Sequence, residues 1–149
     1  MKDKNVRRRR TFLKQAATGV ATAAAIPFTA VSQSRVAGAN RRIRVGLIGC
    51  GGMGGGDLRD FLRVGNTECV ALCDVDDTQT AKMKETVARG FNQNPALLTR
   101  DFRRLIEQKD IDAVIVATPD HWHAIPTIMA CQAGKDVYVE KPLSLSIGE

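Results

Sequence analysis

Four things are scarce in this chain of 149 residues, and each scarcity removes a class of reading. Acidic residues are nearly missing from the first 39 positions, where eight Lys/Arg face Asp3 alone, a net charge of +7. Residues 40–149 hold fourteen Lys/Arg and fifteen acids, a net charge of −1. The overall +6 therefore belongs to a leader, and the neutral body offers no nucleic-acid surface. A long unbroken apolar run is also lacking: the alanine-rich stretch from Ala16 to Val31 is interrupted by Thr18, Gly19, Thr22 and Pro27, which argues against a stable membrane span. Cysteines number four, Cys50, Cys69, Cys73 and Cys131, with neither C-x-x-C pairing nor metal-ligand spacing, so they read as buried free thiols. The two histidines, His121 and His123, stand at i and i+2, which do not share a helical face, and no metal site is expected there. Outside the leader there is no low-complexity tract, and the body shows no repeat beyond alternation of strands and helices.

What the leader does contain comes in an order that has meaning. Arg7 to Lys14 is a basic opening, the weakly apolar stretch follows, and Ala37-Gly38-Ala39 is an A-x-A cleavage signal that would start a mature chain near Asn40. Arg9-Arg10-Thr11-Phe12-Leu13-Lys14 resembles the twin-arginine export signal, with Arg8 where a Ser or Thr is usual. The expectation is a signal peptide over residues 1–39 and export of a folded protein to the periplasm or beyond, with a disordered basic tail as the plain alternative.

The body is organised around Val45–Gly54. A short apolar run, Ile43 to Ile48, breaks into Gly49-Cys50-Gly51-Gly52-Met53-Gly54, the spacing G-x-G-x-x-G, and an amphipathic segment follows at once. In a dinucleotide fold the first glycine permits the tight turn, the second lets the backbone approach a pyrophosphate, and the third lets helix and strand pack closely. The helix that starts there points free N–H groups and its positive dipole end at phosphate. Alone, such a motif serves equally as a turn. Its context is a strand before, a helix after, and Asp74 at the end of the next strand, 20 residues past Gly54, the interval expected of a ribose-binding carboxylate. A carboxylate there favours NAD over NADP, because it repels a 2′-phosphate.

From Asn40 the pattern predicts an α/β fold, a doubly wound parallel sheet of the Rossmann type over residues 40–149. The expected strands are Arg42–Ile48, Glu68–Val75, Ala96–Thr99, Asp112–Thr118 and Asp136–Glu140. The expected helices are Gly52–Val64, Thr78–Arg89 with Asp77 as N-cap, Asp101–Gln108 capped by Thr99 or Arg100-Asp101, and His121–Ala133 closed by Gly134. Ser146 reads as the N-cap of a further helix that the chain does not complete, so the sequence reads as the front of a longer protein. Ligands of an open α/β sheet bind beyond the carboxyl ends of the strands. Four segments end there with polar or glycine residues: Gly49–Gly54, Asp74–Asp76, Thr118–His123 and Glu140–Pro142. Lys141, fixed between a buried strand and Pro142, is placed to donate to a substrate hydroxyl or to act as a base, with Glu140 pairing it or holding a ribose. An exposed Lys-Glu pair is the alternative, as a packing role is for Trp122 and for each histidine.

Taken together, Gly-Cys-Gly-Gly-Met-Gly, then Asp74, then Thr-Pro-Asp-His-Trp-His-Ala, then Val-Tyr-Val-Glu-Lys-Pro-Leu resemble the Gfo/Idh/MocA oxidoreductase family over about residues 42–149. The resemblance implies an N-terminal Rossmann domain, a C-terminal α/β substrate domain that is missing here, and hydride transfer with sugars, inositols or related polyols. By position it implies that Gly49, Gly51, Gly52, Met53 and Gly54 touch the pyrophosphate and Asp74 the adenosine ribose. Thr118, Pro119, Asp120 and His123 would lie along the nicotinamide half beside Glu140, with Trp122 near them, and Lys141 would be the catalytic lysine. The family's other catalytic groups come from the second domain, so this fragment alone is expected to bind NAD without turnover, and any homo-oligomer would form through that domain. Export adds a constraint: NAD must be loaded first and regenerated in place. Two family chemistries do this, a ping-pong exchange between two sugars and a glycosidase that oxidises C3 transiently and reduces it again. A non-catalytic nucleotide-binding module is the reading from a different class.

Overall fold

The computed structural model describes residues 42–146 and 148. The leader, and with it the signal and cleavage readings, lies outside the described residues, as does the completion of a helix after Ser146. Five parallel strands form one sheet in the order β3-β2-β1-β4-β5: β1 Ile43–Ile48, β2 Thr67–Cys73, β3 Leu97–Thr99, β4 Ala113–Val116 and β5 Asp136–Val139. Between them run α1 Gly52–Val64, α2 Asp77–Phe91, α3 Phe102–Ile106 and α4 Ala124–Gln132, with a 3₁₀ turn at Asp120–Trp122 before α4. The predicted doubly wound fold is therefore the one observed. The strand order reverses at β1, whose neighbours β2 and β4 leave it in opposite directions.

The central strands are almost wholly apolar because helices cover both faces of the sheet. On one face, Leu58 and Leu62 of α1 and Met83 and Val87 of α2 pack on Val45, Leu47, Cys69, Leu72 and Ile115. On the other, Leu105 and Ile106 of α3 and Ala130 of α4 pack on Ile48, Val70, Ala71, Cys73, Val114 and Val116. Near-complete burial of Leu47, Leu58, Leu72 and Ile115 is worth on the order of 2 kcal/mol for each side chain relative to exposure.

Several ends differ from the sequence reading, each for a local reason. Asp76, not Asp77, caps α2: its Oδ1 accepts from the Thr78 N–H at 2.8 Å and from the Thr78 hydroxyl at 2.7 Å, which holds its carboxyl below the usual carboxylate range. Asp77 instead lies in the first turn and pairs with Arg100. Asp101 caps α3 through the Arg103 N–H at 3.0 Å, and that helix is one short stretch rather than two turns. The predicted helix from His121 is split, because Trp122 and His123 donate to Pro119 and Asp120 in 3₁₀ fashion before α4 begins. Strands β2, β4 and β5 stop short of Val75, Thr118 and Glu140. Gly134 follows the end of α4 with φ +75°, one residue past its C-cap, Ala133.

Candidate functional site

The turn after β1 is built from close backbone contacts. Gly49 has φ +93°, and a Cβ on it would lie 2.4 Å from the Ala117 carbonyl oxygen, so no other residue fits between β1 and β4. Gly54, in the first turn of α1, has even less room: its Cβ would stand 2.0 Å from the Gly49 carbonyl oxygen. Gly51 is different. Its φ of −68° suits any residue, and nothing lies within 4 Å of where a Cβ would be. Glycine at this position has no reason inside the protein, and the open space in front of it lies at the N-terminus of α1. Gly52 likewise meets nothing within 4 Å, and Met53 is exposed beside it.

Asp74 ties this turn to β2. Its Oδ2 accepts from the Cys50 N–H at 2.7 Å and its Oδ1 from the Asp76 N–H at 3.0 Å. Each oxygen keeps a second acceptor position, so the carboxylate is aimed yet still able to receive two hydroxyls. The Cys50 thiol beneath it donates towards the Cys73 carbonyl, with S–O 3.6 Å, and is pushed up by burial first and then by the Asp74 charge.

A cavity of about 490 Å³ opens along this edge of the sheet. Gly49, Asp74, Thr118 and Pro119, all singled out from the sequence, line it. Part of its wall is one that sequence reasoning missed, Arg100, Phe102 and Arg103, while Val75 belongs to the expected segment Asp74–Asp76. The missed segment follows β3, which pairs with β2 and ends at the same carboxyl edge, so applying the strand-end rule to the third strand would have found it. Trp122 and His121 close the cavity, with the Trp122 and Phe102 rings edge to face at 6.2 Å between centroids and Arg103 over Phe102 at 4.8 Å. Trp122, expected beside the nicotinamide half, lines the same cavity as Asp74 and Thr118 and makes its ring contact with Phe102.

The remaining expected residues lie apart from this cavity. Asp120 is exposed in the 3₁₀ turn. Glu140 accepts from the Tyr138 hydroxyl at 3.0 Å, and Lys141 is exposed in the bend after β5, before a cis peptide bond to Pro142. His123 is 1 % exposed. Its Nδ1 meets the Pro142 carbonyl oxygen at 2.6 Å and its Nε2 the Thr118 carbonyl oxygen at 2.7 Å, so its ring faces backbone on both sides. Because β2 and β5 stand on opposite sides of β1, Asp74 and Lys141 mark the two ends of an edge that crosses the glycine turn.

Two features fit a dinucleotide here: the unfilled space at Gly51 and Gly52, which a Cβ would obstruct, and Thr118 Oγ1, which is buried without a hydrogen-bond partner among the described residues and belongs to a residue that lines the cavity. Among the described residues no group of His, Cys, Asp and Glu is arranged to hold a metal ion, and no helix is long and apolar enough to cross a membrane.

Comparison with known proteins agrees with this geometry. The family model GFO_IDH_MocA, described as an oxidoreductase family with an NAD-binding Rossmann fold, matches residues 43–149. An α-N-acetylgalactosaminidase from Shewanella oneidensis is 34% identical over 110 residues, covering 72% of this chain and 24% of that protein. Among solved structures, the myo-inositol dehydrogenase of Lactobacillus casei in complex with NAD(H) and myo-inositol is similar at TM-score 0.59 and 31% identity, over 69% of this chain and 29% of that one. The WlbA dehydrogenase of Bordetella pertussis in complex with NADH and UDP-GlcNAcA is similar at TM-score 0.54 and 28% identity, over 70% and 30%. The matched stretch thus spans about a quarter of the curated relative's length and under a third of each solved chain.

Proposed function

The chain belongs to the Gfo/Idh/MocA oxidoreductase family as its NAD-binding Rossmann domain, and from that premise we propose that it is the cofactor half of an enzyme that transfers hydride to and from a sugar, inositol or related polyol. The observation that carries this reading is Gly51: a glycine with ordinary φ and open space where a Cβ would lie, a 2.7 Å hydrogen bond fixing the preceding residue, Cys50, to Asp74, and Lys141 at the other end of the same edge.

In this reading each residue has a defined task. Gly49 and Gly54 set the turn so that the backbone N–H groups opening α1 face the pyrophosphate, flanked by Gly51, Gly52 and Met53. Asp74 accepts the adenosine ribose hydroxyls with its two remaining acceptor positions and repels a 2′-phosphate, which favours NAD over NADP. Thr118 and Pro119 form the wall that the cofactor passes towards β5. Bound NAD supplies the hydride acceptor. Lys141 takes the proton of the substrate hydroxyl as the carbon-bound hydrogen departs as hydride, and returns that proton in the reverse direction. Glu140, held by Tyr138, flanks the lysine. The substrate itself and the groups that hold its other face belong to a second domain.

A redox-neutral glycoside hydrolase is the second reading, favoured by the 34% identity to an α-N-acetylgalactosaminidase. In it Lys141 would serve transient oxidation of the sugar followed by reduction, with no net NADH. The leader fits it, since an exported enzyme gains from keeping its NAD, and we place residues 1–39 as a twin-arginine-type signal on the same proposal. Replacing Arg9 and Arg10 by lysine and following the mature chain by cell fractionation tests that point, with retention in the cytoplasm expected.

The full-length protein loaded with NAD decides between the readings. Incubation with myo-inositol and free sugars should give NADH absorbance if the net reaction is oxidation. Release of nitrophenol from p-nitrophenyl α-N-acetylgalactosaminide with no accumulated NADH would establish the hydrolase instead. Saturable NAD binding with unchanged behaviour of Lys141→Ala in every such assay would leave only a nucleotide-binding module.

A further inference from the structure

His123 was expected to face the cofactor, yet its ring is buried and occupied by two backbone carbonyls that belong to different loops. One is the carbonyl of Thr118, in the loop after β4 that walls the cavity. The other is the carbonyl of Pro142, the residue after Lys141 in the bend beyond β5. A carbonyl oxygen can only accept, so one contact is a hydrogen bond in either neutral tautomer, and both are hydrogen bonds at once when the ring carries both protons. The backbone that carries the ring is held as well: the His123 N–H donates to the Asp120 carbonyl at 3.2 Å, and its own carbonyl accepts from the Thr127 N–H at 3.3 Å as α4 begins. Strand pairing does not do the same work, because β4 and β5 pair only as far as Val116 and Val139, with one further bond from the Glu140 N–H to the Val116 carbonyl at 2.9 Å. Beyond that point the strands no longer pair, and the His123 ring meets a carbonyl of each loop.

We propose that His123 is a positioning residue, a two-ended bridge that fixes the Lys141 bend relative to the Thr118 wall of the NAD cavity. The proposal rests on the reading of Lys141 as the group that handles the substrate proton. It assigns His123 no contact with NAD or substrate. Its two ends have separable consequences: the Nδ1 end holds the lysine bend, and the Nε2 end holds the cofactor wall.

That separation can be tested, because the two amide side chains each reproduce one end. The asparagine amide nitrogen lies two bonds from Cβ, as Nδ1 does, and the glutamine amide nitrogen lies three bonds away, as Nε2 does. His123→Asn keeps a donor for Pro142 and gives up Thr118. His123→Gln keeps a donor for Thr118 and gives up Pro142. Both variants, with Lys141→Ala as reference, are made in the full-length NAD-loaded protein. They are assayed with whichever of myo-inositol or p-nitrophenyl α-N-acetylgalactosaminide the wild type turns over. NAD affinity is followed by Trp122 fluorescence, and hydrogen exchange of the peptide spanning residues 140–146 is measured in parallel.

The expected result is a split. His123→Gln lowers kcat by roughly 10- to 100-fold, the scale of an ångström-level misplacement of a reacting group, and speeds exchange in residues 140–146. His123→Asn weakens NAD several-fold, retains protection of that bend, and keeps a kcat well above that of His123→Gln. Equal losses in both variants, or equal protection of the bend, overturn the proposal and make His123 a core residue only. If Lys141→Ala turns over as the wild type does, the reading of Lys141 fails instead, and the exchange data still decide whether His123 holds the bend.

Discussion

Gly51 and Gly54 stand three residues apart in one motif, and the structure predicts that alanine at the two positions fails in different ways. At Gly54 the new Cβ would lie 2.0 Å from the Gly49 carbonyl oxygen and 3.0 Å from the Ala117 Cβ, so α1 must move off the sheet or the turn must open. Overpacking against backbone of this kind costs about 1–3 kcal/mol, and the upper part of that range applies because the obstacle is not a flexible side chain. At Gly51 the φ of −68° and the absence of any atom within 4 Å mean that alanine is accommodated without strain. Removing glycine's extra freedom in the unfolded chain even favours the fold by about 0.5 kcal/mol. The Cβ does, however, occupy the approach to the N–H groups that open α1. Losing one charge-assisted bond of about 1.5–3 kcal/mol to the pyrophosphate corresponds to a roughly 10- to 100-fold weaker NAD complex. Thermal unfolding and an NADH titration followed through Trp122, which lines the cavity, measure the two quantities separately. Gly51→Ala should melt at or slightly above the wild-type temperature and bind poorly, whereas Gly54→Ala should lose both. Wild-type affinity in a folded Gly51→Ala would refute the argument, because the open space would then have no ligand passing through it.

Three further outcomes are expected of the same domain. Burial pushes the Cys69 and Cys73 thiols up to about 12 and Cys50 higher still, while Cys131 is exposed, so a native thiol titration at pH 8 should count one fast group of four, lost in Cys131→Ser. Lys135 is 9 % exposed and its ammonium donates to the Gln108 and Ile111 carbonyls at 2.6 and 2.9 Å, tying the end of α3 to the start of β5. Lys135→Met should cost about 1–3 kcal/mol in denaturant unfolding, for carbonyls left without a donor. Asp57 is raised above the usual carboxyl range, by burial first and then by the charges of Glu140 and Asp60, and its Oδ2 is buried without a partner among the described residues. A raised native pKa means that the charged form costs stability above that pKa and the cost vanishes as pH falls through it, so Asp57→Asn should raise Tm slightly at neutral pH and not in acid. Solvent screening keeps that gain to roughly half a kcal/mol or less.

The sheet was legible in the sequence because its signals are local and redundant. Apolar runs bounded by polar turns, a glycine motif at one strand end and an acid at the next each point to the same parallel fold, and α1 falls on its expected residues 52–64. What failed were the ends. Val75, Thr118 and Glu140 follow apolar runs and fall within the expected strands, yet the strands stop before them, where each parts from its neighbour at the carboxyl edge of the sheet. Cap choice was also beyond pattern reading: Asp74, Asp76 and Asp77 are three acids within four positions. Only three-dimensional neighbours assign Asp74 to the glycine turn, Asp76 to the helix cap and Asp77 to Arg100.

The site shows the same division. A glycine or an acid at a strand end announces itself by type and place, and Gly49, Asp74, Thr118 and Pro119 do line one cavity. A histidine does not, because its two ring nitrogens serve equally for catalysis, metal binding or backbone bridging, and the choice depends on what lies opposite. Opposite His123 lie two carbonyls from loops separated by more than twenty residues. In the cavity wall lies a third segment, Arg100 to Arg103, which follows a short strand that the sequence did offer, so the strand-end rule reaches it once it is applied there. The bridge at His123 was invisible for a physical reason: it is a contact between strand ends, and the sheet order that brings those ends together is not written in any single stretch of chain. Sequence therefore names the residues that meet the cofactor through their own chemistry, and structure is needed for those that act by holding the others in place.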